Sequence, residues 1–67
     1  MDNAEKIVKL LDHLVHHNEH HAEEIEELAA SAKELGNEEA ATLITEGVKL
    51  LENSNAKLRD ALTALKK

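Results

Sequence analysis

Ala32-Lys33-Glu34-Leu35-Gly36-Asn37-Glu38-Glu39 holds the only strong break in a chain of 67 residues. Gly36 suits the left-handed position just past a helix C-terminus. Asn37 suits the N-cap of a second helix, with Glu38 and Glu39 placed favourably against its dipole. Proline is absent, and the only other glycine is Gly47. Working outward, Asp2 and Glu5 read as a capping box for the first helix. Lys33 near the end of that helix, and Lys66 and Lys67 at the end of the second, oppose the negative C-terminal dipole. The expected layout is one all-α domain: helix 1 over about 3–35, a turn at 36–37 and helix 2 over about 38–65. So short a link forces an antiparallel hairpin.

Composition narrows the function. Fourteen acids against eight bases give a net charge of −6, which disfavours nucleic acid and anionic lipid as partners. Absent aromatics remove base stacking, and absent cysteine removes disulfides and thiolate metal sites. No apolar run approaches the roughly 18 residues of a membrane span. The acidic N-terminus lacks the basic region of a signal peptide. A soluble, cytoplasmic protein is the expectation.

Helix 1 carries a stripe with alternating spacings of four and three: Ile7, Leu11, Leu14, Asn18, His21, Ile25, Leu28, Ala32, Leu35. Helix 2 carries Ala41, Ile44, Val48, Leu51, Asn55, Leu58, Leu62, Leu65. Both persist along the whole helix, as bundle packing requires. Seven-residue rows widen each stripe. On helix 1 the row is Val8, Val15, Ala22 and Ala29. On helix 2 they are Leu43, Leu50 and Ala64, with the small row Ala40, Gly47, Ser54 and Ala61. A lone hairpin buries only one seam, so faces this wide predict a homodimer forming a four-helix bundle.

Three stripe positions are polar: Asn18, His21 and Asn55. Antiparallel pairing about Gly36-Asn37 sets residue i opposite roughly residue 73 − i, so Asn18 meets Asn55. The expectation is a single polar layer at mid-length that contains His21. A buried amide or imidazole costs a few kcal/mol unless hydrogen bonds, water or an ion satisfy it.

All five histidines lie between His13 and His21. His13, His17, His20 and Glu24 share a sector of about 60° at 100° per residue. His17 and His21 sit one turn apart, a spacing that lets two imidazoles chelate one ion. Neutral imidazole suits zinc, nickel, cobalt and copper. Two donors per helix are too few, and a two-fold dimer would supply two more. The expected ligands are His17 and His21, then His13. Asn18, Asn55, Glu24 and Glu52 would form the second shell or polar layer, with Glu19 and Glu23 nearby. His16 and His20 point outward as peripheral residues.

Other readings compete. A buried Asn pair often sets register and oligomeric state with no ligand. Such a structural or interaction module becomes pH-responsive if His21 charges inside the core. His16-His17-Asn18-Glu19-His20 matches the zinc-peptidase pattern H-x-x-E-H, but the chain has no room for the distant third ligand or a cleft. No Glu-x-x-His di-iron signature, phosphate loop or Ser/His/Asp set is present. A slim bundle offers little pocket volume, so enzymatic activity is not expected.

The segment from Leu10 to Glu24, LLDHLVHHNEHHAEE, resembles a group of short, His-rich helical-hairpin proteins of anaerobic bacteria and archaea. Their pattern is roughly L-L-x-H-W-x-x-H-N-x-x-H-A-E, a Gly-centred turn, then A-N-x-x-L. The resemblance covers nearly the whole chain. It carries over to His13, His17, Asn18 and His21, and to Asn55-Ala56, here preceded by Ser54. It departs at Leu14 and Leu28, where that group often has Trp. The group has no assigned activity. The resemblance implies that His13, His17, Asn18 and His21 act together, with His16 and His20 as extras. The combined expectation is a small, non-enzymatic metal-binding protein: a sensor, carrier or store.

Overall fold

A computed structural model describes residues 3–67, so Asp2, half of the expected capping box, lies outside the described residues. Two helices fold back on each other: α1 over Asn3–Glu34 and α2 over Glu38–Lys66. Their Cα atoms span 52 × 16 × 11 Å, the shape of one long antiparallel hairpin. No described helix is long and apolar enough to cross a membrane.

The turn forms as the sequence demands. Gly36 takes φ +85°, where an L side chain would crowd the following carbonyl. Its N–H donates to the Lys33 carbonyl, and the Asn37 N–H to the Ala32 carbonyl, both at 3.0 Å. These bonds satisfy carbonyls that the end of α1 would otherwise leave open. Asn37 then caps α2, its Oδ1 accepting from the Ala40 N–H at 3.0 Å.

Between the helices the expected stripe holds on α2 from Ala41 to Leu62, with Leu65 in the last turn exposed, and changes on α1. Val48, Asn55 and Leu62 of α2 are buried, with Ala41, Ile44, Leu51 and Leu58 half-buried beside them. On α1, Leu11, Asn18, Ile25 and Ala32 face the seam as expected. The alternate positions do not: Ile7, Leu14, His21, Leu28 and Leu35 are exposed. Val15, Ala22 and Ala29 are buried in their place, with Val8 half-buried. The row that widens the stripe in the sequence is half of the seam in the structure.

Two physical terms favour that choice. Burying the other row would strip water from an imidazole at mid-seam. The chosen row also complements α2 in size. In the observed register Ala22 stands level with Leu51 and Ala29 with Ile44. Small residues opposite large ones let the helix axes approach closely.

The rotation gives the hairpin two unlike flanks. One is charged and carries the Glu19–Arg59 ion pair. The other carries the displaced row of α1, with Leu28 60% exposed, and the small row of α2 with Leu43 and Leu50 beside it. Asn37→Ala should lower unfolding stability by about 1 kcal/mol. Gly36→Ala should lower it by about 1–2 kcal/mol, because that residue must hold positive φ. Urea titrations followed by circular dichroism check both.

Candidate metal centre

The polar layer is real but smaller than expected. Asn55 is 5% exposed. Its Oδ1 accepts from Asn18 Nδ2 at 3.1 Å, and its own Nδ2 donates to the Val15 carbonyl at 3.1 Å. No buried side-chain nitrogen or oxygen among the described residues lacks a partner. The amides therefore satisfy one another with no need of an ion. His21 does not join them: its side chain is 51% exposed, outside the seam. The acid-triggered reading loses its mechanism within one chain, since no imidazole there charges inside the core.

All five histidines are exposed on α1, and two of them meet. His17 Nε2 and His21 Nε2 lie 2.8 Å apart, with the rings edge-to-face at a centroid distance of 4.3 Å. The bond between these atoms requires one ring to donate its Nε2 proton to the lone pair of the other. Glu24 stands on the far side of His21, its Oε1 3.7 Å from His21 Nδ1, outside hydrogen-bond distance.

The pair suits an ion with a small adjustment. At metal–nitrogen distances of about 2.0–2.1 Å, tetrahedral ligation sets two nitrogens about 3.3 Å apart. The Nε2 atoms would open by about half an ångström, within the reach of side-chain rotation, and the donating ring would carry its proton on Nδ1 instead, freeing its Nε2 lone pair. His13 stacks on His17 at 6.3 Å between ring centroids and does not converge on the pair. His16 is turned aside, its Nδ1 2.9 Å from the Asp12 carbonyl. His20 is exposed.

The carboxylates separate in space. Glu24 stands with the imidazoles. Glu52 instead lines an open groove on the charged flank with Asn18, Glu23, Asn55 and Arg59, and no histidine borders that groove. Glu19 is engaged by Arg59. The sequence reading overlooked Arg59, although it is the chain's single arginine and stands beside the seam. Among the described residues no group of three or more His, Cys, Asp or Glu side chains could hold an ion. Within one chain the two imidazoles that meet are His17 and His21.

Residues 7–65 match the family described as Domain of unknown function (DUF8180). The chain belongs to that family. No curated protein and no solved structure matches it. Membership in DUF8180 rests on this match alone and assigns no role to the histidines. Within this member, Asn18 turns into the seam while His17 and His21 pair outside it.

Replacing Asn55 by Ala should cost about 1–3 kcal/mol, because the Asn18 amide loses its partner and a gap opens. The Asn18→Leu/Asn55→Leu double variant should cost far less, or gain stability, while broadening its amide NMR spectrum as the register loosens. Urea titration and heteronuclear NMR read the two effects separately.

Proposed function

We propose that this DUF8180 chain is a small, non-enzymatic transition-metal-binding protein that completes its site by pairing two hairpins into a four-helix bundle. The observation that carries the reading is the His17–His21 contact, with Nε2 facing Nε2 at 2.8 Å and Glu24 behind His21. Two neutral imidazoles one helical turn apart, backed by a carboxylate, form half of a nitrogen-ligand site for zinc, nickel, cobalt or copper. The half-site stands on the flank opposite the Glu19–Arg59 pair, where a second copy would bring the other half. Sensing, carriage and storage all require an ion held by neutral ligands and released on demand. A site whose halves belong to two chains meets that requirement, because separating the chains opens it.

A second reading has its own observation. The Asn18–Asn55 bond satisfies the core layer by itself, as a register device in a structural or interaction module does. Under that reading added metal leaves the melting temperature unchanged.

Calorimetry with zinc, nickel, cobalt and copper separates the two, on protein purified without a His tag or metal resin. The expected stoichiometry is one ion per two chains. His17→Ala/His21→Ala should weaken binding by on the order of 100-fold or more, and His13→Ala far less. Binding should fade as pH drops from neutral towards about 5.5, because imidazoles must be deprotonated to ligate. Equal affinity of the wild type and the double variant would remove these ligands from consideration.

A further inference from the structure

We infer that a second copy docks antiparallel on the flank opposite the Glu19–Arg59 pair, α1 on α1 and α2 on α2, with the two-fold axis crossing the molecule at His21. The inference rests on the two-copy part of the metal-binding reading and fixes where the second imidazole pair stands.

The surface has room for a partner. The elongated chain exposes 5330 Å², whereas a compact monomer of 7.4 kDa exposes about 4200 Å² by the usual scaling. A standard interface takes about 800 Å² from each partner, which the apolar flank can supply. That flank includes the large apolar side chains Ile7, Leu14, Leu28, Leu43 and Leu50, all at least half exposed.

The order of these residues sets the orientation. His21 is the middle member of the exposed row Ile7, Leu14, His21, Leu28, Leu35. A two-fold axis at His21 sets Leu14 against the partner's Leu28, Ile7 against the partner's Leu35, and His21 against the partner's His21. The register fixed by the Asn18–Asn55 bond carries this axis across to α2 at the level of Glu52. About that level, Leu50 seats on the partner's Ser54 and Leu43 on the partner's Ala61. Large side chains meet small ones on α2 about the axis that α1 requires. A Cβ added at Gly47 meets nothing within 4 Å in the chain, so space is open there for the stem of the partner's Lys57.

Charge agrees with shape. Glu24 and Lys57 are the only charged residues in the rows that make up this flank. The axis brings Glu24 beside the partner's His17, so the carboxylate serves imidazoles from both copies. Docking on the opposite flank would instead desolvate the Glu19–Arg59 pair together with Glu23, Glu26 and Glu52. The consequence for function is a four-imidazole cluster on the axis, two from each copy.

Because the chain has no cysteine, single-cysteine variants report the geometry cleanly. The experiment is done in chelator, with a short thiol-to-thiol cross-linker. His21→Cys alone should give covalent dimers. A mixture of Leu14→Cys and Leu28→Cys should link across the two variants in preference to either with itself. A mixture of Leu14→Cys and Ala61→Cys should not link. That last pair would react if the axis ran along the hairpin and laid α1 on the partner's α2, which would overturn the inference. So would a monomeric mass for the wild type in sedimentation at about 100 µM. Leu14→Glu/Leu28→Glu should give helical monomers, because both residues lie outside the seam. If the cross-links form and calorimetry finds no metal binding, the docking stands and the metal reading falls. If metal binds one ion per chain and no cross-link forms, the docking falls.

Discussion

One hydrogen bond between two side-chain amides fixes the geometry of this molecule. Asn18 Nδ2 to Asn55 Oδ1 joins the helices at mid-length, and Asn55 Nδ2 ties the same layer to the α1 backbone at Val15. Leucine, alanine and valine contacts tolerate sliding by a turn at modest cost. A buried amide does not, because any other register leaves it unpaired in an apolar seam. With that layer set, Ala22 and Ala29 fall level with the bulky Leu51 and Ile44, and the axes can close.

The same constraint decides what stays outside. The seam on α1 runs through Val15, Ala22 and Ala29, so the heavier row of Ile7, Leu14, His21 and Leu28 is displaced to one flank. This is an unusual use of a small chain's apolar side chains. On α1 the row Ile7, Leu14, Leu28 stays outside, and Val15, Ala22 and Ala29 join Leu11 and Ile25 at the seam. Such a core is thin, with only Val15, Ala22, Ala29, Val48 and Leu62 buried among the apolar residues described. A thin core beside a broad apolar flank supports the proposed pairing of two hairpins. The imidazole pair sits on that flank, where its Nε2 atoms face each other and Glu24 stands behind His21. On the proposed reading, ligand binding and assembly share one surface, which gives a physical route by which each affects the other.

Much of the fold was legible in the order of residues. Gly36-Asn37 specified the turn because few residues adopt positive φ or cap a helix so well, and both functions appear as bonds in the structure. Pairing Asn18 with Asn55 followed from counting outward from that turn. The place of His21 was misread for a definite reason. On α1, Leu11, Asn18, Ile25 and Ala32 have an apolar row on either side, one large and one small. Periodicity scores the large row higher, yet the packing distance set by α2 admits the small one.

The sequence by itself determined two long helices, their antiparallel course, their register and the crowding of histidines on the first. These follow from local backbone preference and from the intolerance of a buried amide for a missing partner, both of which are properties of short stretches or of a single pair. Only the tertiary structure decided which of two neighbouring rows entered the seam, and hence that His21 left the amide layer to meet His17 in the open. That choice depends on the distance between two helix axes, which is set jointly by side chains from both helices and is written in neither one alone.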